Sequence, residues 1–233
     1  RIDRKQKIVY RLRRLHLLPL IDSLRYFWDF IKNLPDNHGF SKKIPDFRCP
    51  PSYLAYDAYG HTNRRLYYES GLQQAQFFAR LIKQHLDDGS NRICEWGCGP
   101  ARILRHLPQF FPGSPIDFYG YDYNPQTIKW CREYIDHITF NTNLLAPPLR
   151  QESDWFDCVY CVSVFTHLSS QMHFVWMSEL LRVVKPGGLI ILTTHGDATT
   201  SHLLSLESQM YARGELVVRG YVKEGTRTYV AYH

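Results

Sequence analysis

A chain of 233 residues, 44% of them hydrophobic, is long enough to bury one full core and carry an appendage. Its net charge of +6 and pI near 9.0 allow an acidic partner, but much of the excess sits in the first fourteen residues and belongs to the N-terminus. No run approaches the roughly 18 apolar residues that span a bilayer, which excludes a membrane-crossing helix. Six cysteines (Cys49, Cys94, Cys98, Cys131, Cys158, Cys161) make a disulfide set only in an oxidising compartment. Two of them flank a glycine turn where a crosslink would obstruct a ligand, so reduced thiols in a cytoplasmic protein are expected.

Residues 1–34 run from basic to strongly apolar, with Leu12, Leu15, Leu17, Leu18, Leu20, Ile21, Leu24, Phe27, Trp28, Phe30 and Ile31 at spacings that suit amphipathic helices broken at Pro19. Basic residues beside such a face attract anionic headgroups, so peripheral membrane or partner contact through residues 1–34 is one reading. A helix packed on the domain with a solvated basic start is the other, and is favoured. The chain opens at Arg1 without a methionine, as a fragment would. Asn33 to Asn63 reads as loop, with Pro35, Pro45, Pro50, Pro51, Gly39 and Gly60 as breakers. Its tyrosines, Tyr53, Tyr56 and Tyr59, either form a lid over a site or cover an exposed sheet edge.

Ser70 to Asp87 carries an apolar stripe (Ala75, Phe78, Leu81, Ile82, Leu86) and predicts a helix ended by Asp88-Gly89-Ser90. Arg92 to Trp96 is a strand, Gly97-Cys98-Gly99 a turn, and Ala101 to Leu107 a helix. Strands follow at Ile116 to Tyr121, Ile138 to Asn141, Phe156 to Val164 and Leu189 to Thr194. Helices fall between them at Pro125 to Ile135 and Ser170 to Val184, and Lys185-Pro186-Gly187-Gly188 reads as a stop before the last strand. The tail reads as a helix over Thr199 to Tyr211. A hairpin follows, Glu215 to Val222 and Arg227 to Tyr232, which is either the closing strand pair of the sheet or an insertion in a truncated chain.

Strands alternating with helices predict an α/β fold: Rossmann-like, doubly wound, with a mainly parallel sheet, helices on both faces and an N-terminal helical and loop cap. The expected division places the cap at residues 1–69 and the α/β domain at residues 70–233. Glycines are wanted after the first strand because the turn needs positive φ and lets a ligand approach the backbone. Asp122 ends the second strand, roughly 20 residues on, at the spacing of a carboxylate that grips ribose hydroxyls.

The pattern Glu95-Trp96-Gly97-Cys98-Gly99-Pro100-Ala101 resembles the first motif of the class I S-adenosylmethionine-dependent methyltransferases. Trp155-Phe156-Asp157-Cys158-Val159 and Lys185-Pro186-Gly187-Gly188 are similar to that family's fourth-strand opening and fifth-strand turn, and the likeness runs from Glu95 to Thr194. It implies S-adenosylmethionine as cofactor. Glu95, Gly97 and Gly99 would lie at the methionine part, Asp122 at the ribose, and Tyr123 and Asn143 with Leu144 beside the adenosine. Ser163 sits at the crevice end of the fourth strand. Asn143 departs from the family's usual aspartate, but an amide oxygen accepts the same hydrogen bond.

Methyl transfer requires an aligned nucleophile and, for a hydroxyl, a base. His167, after the fourth strand, is the first candidate for that base and His195, after the fifth, the second. The dull alternative for His167 is a capping or packing histidine. Arg102 and Arg105 are better read as salt-bridged helix residues than as anion ligands. Cys158 and Cys161 fall on opposite faces of a strand, which speaks against a metal site. The expected reaction is methyl transfer to a hydroxyl or amine of a small molecule or glycan-type metabolite. A non-catalytic cofactor-binding module is the alternative. The resemblance implies, for relatives that methylate bases, a proline pair followed by an aromatic after the fourth strand. Pro50-Pro51 is followed by Ser52 and Pro147-Pro148 by Leu149, which disfavours a nucleic-acid substrate. A nicotinamide enzyme is disfavoured because position 102 is Arg where a third glycine is needed.

Overall fold

Five short apolar runs pair side by side because strands buried on both faces satisfy their backbones only in a sheet. They are β1 (Arg92–Trp96), β2 (Asp117–Asp122), β3 (Ile138–Thr142), β4 (Phe156–Cys161) and β5 (Val184–Leu192). All four pairings are parallel, in the order β3-β2-β1-β4-β5. These features come from a computed structural model that describes residues 18–86, 89, 91–219 and 229–232.

Strand periodicity sorts the side chains to two faces. Ile93, Cys158 and Tyr160 meet Ala75, Phe78 and Ile82 of α3 (Arg64–His85) and Ile128 and Cys131 of α4 (Pro125–Tyr134). Cys94, Trp96, Val159 and Cys161 meet Trp176, Leu180 and Val183 of α5 (Ser170–Val183). The doubly wound architecture is the one the alternating pattern predicts. Asp157 ties the start of β4 to both neighbouring strands, accepting from the Asn91 and Arg92 N–H groups and from Lys185 Nζ. Burial alone would raise that carboxyl, but Lys185 and the two N–H donors hold it below its ordinary value.

Several local expectations give way. The helix expected over Ala101 to Leu107 is replaced by two short 3-10 turns, Leu104–His106 and Pro108–Phe110. Ala101 is left-handed at φ 56, and Pro108 lacks the N–H that a continuing α-helix would use. The Lys185-Pro186-Gly187-Gly188 stretch is no stop; it forms the start of β5, with a register irregularity opposite Phe156 and Cys158. The tail helix is split into a 3-10 stretch, Asp197–His202, and α6 (Ser205–Ala212), because buried Leu203 between them is extended. The closing strands β6 (Val217–Arg219) and β7 (Val230–Tyr232) pair antiparallel in a sheet of their own. Residues 220–228 between them lie outside the described residues.

The largest departure is in the segment read as loop. α1 (Leu18–Lys43) continues straight through Pro35, and α2 (Ser52–Tyr59) follows. Side chains on both flanks of the proline explain its tolerance. Asn33 Nδ2 donates to the Asp29 carbonyl, Asn37 Nδ2 donates to the Thr62 carbonyl, and Asn37 Oδ1 accepts the Arg64 N–H. Asp36 pairs with Arg65 at 2.9 Å. Tertiary bonds outweigh the local cost of the missing donor. α1 is thus packed on the domain as expected, through these polar groups together with Tyr26 against Tyr56 and buried Phe40 against Phe47 and Tyr68, while Leu20, Leu24, Phe27, Trp28, Ile31 and Leu34 face solvent. The expected boundary between residues 69 and 70 falls inside α3, and residues 1–17 of the basic start lie outside the described residues.

Candidate active site

The chain order reverses between β1 and β4, and in open parallel sheets a crevice forms at such a point beyond the strands' carboxyl ends. A cavity of about 560 Å³ lies there. Its floor is the turn after β1. Gly97 and Cys98 N–H groups both donate to the Tyr121 carbonyl, at 2.7 and 3.0 Å, tying the turn to β2. Gly97 is left-handed at φ 73, and a Cβ there would overlap Val164 Cγ2. Only glycine satisfies both demands.

Asp122 connects this floor to the next wall. Its Oδ2 accepts the Gly99 N–H at 2.9 Å and its Oδ1 the Asn124 N–H at 2.8 Å. Burial pushes the carboxyl up to about 6, while the two N–H bonds pull the other way. Asn143 stands beside it, its own N–H bonded to the Asp122 carbonyl at 3.1 Å. Asn143 Nδ2 donates to the Leu144 carbonyl at 2.6 Å, which fixes the amide's orientation and leaves Oδ1 buried and without a partner. A buried acceptor left in that state is costly unless a ligand donor meets it.

Glu95 also lines the cavity, but its Oε2 is already engaged. It accepts the Leu104 N–H at 3.1 Å and the Tyr160 hydroxyl at 3.0 Å, bracing the 3-10 turn against β4. Burial raises Glu95 to about 8, against the pull of Tyr160, Arg102 and Leu104. The helix expected behind the glycine turn does not form there, and the Glu95 carboxyl takes the N–H of Leu104 at the start of the 3-10 turn that replaces it.

Across the cavity, Ser163 is left-handed at φ 60, its N–H bonded to Thr193 Oγ1 at 2.7 Å. His167 follows on the same wall. Its Nδ1 lies 2.7 Å from the Tyr229 carbonyl. A carbonyl only accepts, so Nδ1 carries the proton and the basic lone pair of the neutral ring is on Nε2.

Of the residues named from the sequence as cofactor-binding or catalytic candidates, Glu95, Gly97, Gly99, Asp122, Tyr123, Asn143, Ser163 and His167 share this one cavity. Two do not. Leu144 is 70% exposed and turned away, and Leu145 forms the wall instead. His195 lies outside the cavity lining, its Nδ1 bonded to the Ala231 carbonyl and its ring stacked on Tyr232. The five-stranded sheet ends at Leu192, so His195 falls against β7.

The tyrosine-rich segment supplies the roof. α2 brings Asp57, Ala58 and Tyr59 over the glycine turn, and His61 follows after Gly60. Tyr59 Oη accepts the Arg102 N–H at 3.2 Å, and its ring lies 4.7 Å beneath the Arg102 guanidinium. Arg102 is engaged in structure, donating to Ser70 and to Gln74 of α3. Arg105 likewise donates to the Arg48 carbonyl and stacks on Phe47. His61 is the residue that sequence reasoning passes over. Its Nδ1 is buried without a partner, and burial together with the Arg102 charge holds the ring below its ordinary value. No periodicity or motif marks it. Among the described residues no cluster of three His, Cys, Asp or Glu is placed to hold a metal.

Residues 94–192 match the family described as "Methyltransferase domain". The ubiquinone biosynthesis O-methyltransferase of Rickettsia bellii is 26% identical over 157 residues, covering 66% of this chain and 60% of that protein. The chain thus spans less than two thirds of that relative's length. The tRNA N(3)-methylcytidine methyltransferase of Schizosaccharomyces pombe is 23% identical over 226 residues, covering 87% of this chain and 71% of the relative. A solved structure, Streptomyces venezuelae DesVI, is similar at a TM-score of 0.45 and 14% identity, over 64% of this chain and 57% of that one.

Proposed function

We propose, from the match of residues 94–192 to a methyltransferase-domain family, that the chain is a class I S-adenosylmethionine-dependent methyltransferase acting on a hydroxyl or amine of a small molecule or glycan-type metabolite. The observation that carries the reading is Asn143 Oδ1, a buried acceptor with no protein donor, on the same cavity wall as Asp122. The residues present fit the cofactor. The amide oxygen suits an adenine amino group, the lone pairs of Asp122 not used by Gly99 and Asn124 suit ribose hydroxyls, and the bare main chain at Gly97 to Gly99 suits the amino-acid end.

When bound, S-adenosylmethionine supplies an electrophilic methyl group on a sulfonium. The chain's own residues position and deprotonate. His167 Nε2 takes the proton of the acceptor hydroxyl or ammonium, while Nδ1–H stays on the Tyr229 carbonyl and keeps the ring in one tautomer. α2 excludes water above the glycine turn, through Tyr59 and Ala58. The Rickettsia relative is, by its name, an O-methyltransferase, which supports an oxygen acceptor here. The fission-yeast relative acts, by its name, on tRNA. That acceptor is less favoured, because residues 1–17 carry seven of the 28 Lys and Arg and one of the 22 Asp and Glu, which leaves the rest of the chain balanced at 21 of each.

Tritiated S-adenosylmethionine, incubated with the chain and a cell extract split into small-molecule and RNA fractions, tests the proposal. Label in the small-molecule fraction is expected. Label confined to RNA would transfer the reading to a nucleic-acid substrate, and none in either fraction would leave a binding module.

A further inference from the structure

Surface helices usually bury an apolar stripe and show a polar one. From Leu20 to Leu34, α1 instead shows an apolar stripe to solvent. Its acids recur every seventh residue, Asp22, Asp29 and Asp36; Asp22 and Asp29 are half-buried against the domain, and Asp36, its side chain 39% exposed, is held by Arg65. Asp29 Oδ2 accepts the Thr62 N–H and hydroxyl at 2.6 and 2.8 Å, Asp36 takes Arg65 and Asn63, and Asp22 sits beside the Tyr56 hydroxyl. The outward face carries Leu20, Leu24, Phe27, Trp28, Ile31 and Leu34, between 44% and 71% exposed, at i, i+4, i+7, i+8, i+11 and i+14. That face holds no acid. The exposed charges among its residues are Arg25 and Lys32.

We propose that α1 is a membrane-surface element whose outward face seats at the headgroup–acyl boundary of an anionic bilayer. Three observations select a lipid surface. The stripe is continuous over about four turns and includes Trp and Phe, the composition of helices that lie in the interface plane. Its flanking charges are all positive, and residues 1–17, which directly precede this helix in the sequence, carry seven basic residues against one acid. Attraction to anionic lipid therefore adds to apolar burial, as stable peripheral binding requires. Pairing two copies through this face would instead bring Arg25 and Lys32 against their own kind. Among the described residues no helix is long and apolar enough to cross a membrane, so the helix lies on the bilayer. The inference stands apart from the cofactor reading, since none of the six outward residues lines the cavity.

The test is co-sedimentation of the full chain with phosphatidylcholine vesicles, with and without about 30 mol% phosphatidylserine, at low and high salt. Binding at least about tenfold stronger to the anionic vesicles, weakened by salt, is expected. A Leu24→Glu/Trp28→Glu variant should lose more than about tenfold of that binding, because two large apolar groups no longer leave water. Circular dichroism and S-adenosylmethionine titration report whether its fold is kept. If it is not, Arg25→Glu/Lys32→Glu, two exposed charge reversals, should weaken anionic-vesicle binding several-fold. No binding to anionic vesicles overturns the proposal. So does binding that neither folded variant weakens, or a solution dimer that the folded variants convert to monomer.

Discussion

Replacing Glu95 by glutamine separates the carboxyl's structural role from its charge. The new side chain's amide oxygen still accepts the Leu104 N–H and the Tyr160 hydroxyl, so the brace between the 3-10 turn and β4 survives. What disappears is the proton equilibrium. Burial raises Glu95 from 4.5 to about 8, so between those values the folded chain holds a proton that the unfolded chain has lost. Stability therefore falls as pH rises through that window, by up to ~1.4 kcal/mol per pH unit, and the loss by pH 8 is on the order of 3–5 kcal/mol. Below about 4.5 both states are protonated and the penalty is absent. Burying the extra amide N–H groups of the glutamine costs about 1 kcal/mol at every pH. Glu95→Gln should thus match or fall slightly below wild type at pH 5 and exceed it at pH 8, with a melting temperature roughly 5–10 °C higher. Thermal melts of both proteins from pH 5 to 8.5 make the comparison. The difference cancels groups common to both, including Asp122 with its raised value and Asp157 with its lowered one. Parallel curves, or a wild type that gains on the variant as pH rises, would refute the reasoning.

Three further outcomes are expected. Asn143→Leu should weaken S-adenosylmethionine binding roughly tenfold by calorimetry while changing ligand-free stability by less than about 1 kcal/mol, because the lost Nδ2 bond to the Leu144 carbonyl is offset by removal of a buried acceptor that no protein group satisfies. Gly97→Ala should destabilise the fold by about 2–4 kcal/mol in urea melts, from the left-handed backbone and the overlap with Val164, and adding Val164→Ala should recover only the overlap part. His167→Ala should lower turnover by about 10²–10⁴ with cofactor affinity kept, whereas the same loss in His61→Ala and not in His167→Ala would move the base to the roof.

Much of the sheet was legible because parallel strands buried on both faces leave dense apolar runs; β4 is buried at all six positions, and its sequence shows little else. Asp122 and Asn143 were legible because motif spacing along β2 and β3 translates directly into position at their carboxyl ends. Residues 101–107 read as an α-helix because Ile103, Leu104 and Leu107 fit a helical face, while the deciding events were a left-handed Ala101 and a carboxyl reaching back from β1. α1 ran through Pro35 because its stabilising partners, Thr62 to Arg65, lie nearly thirty residues away, beyond any local pattern. His61 carries no signal at all until α2 folds over the cavity. The exposed stripe of α1 was visible as amphipathicity, but sequence alone does not say which side faces the protein.

If Asp122 holds S-adenosylmethionine in this cavity, isothermal titration of the full chain reads it out. One molecule should bind per wild-type chain, and an Asp122→Ala variant that still melts cooperatively should bind at least about tenfold more weakly. No binding by folded wild type, or undiminished binding by the variant, would contradict it.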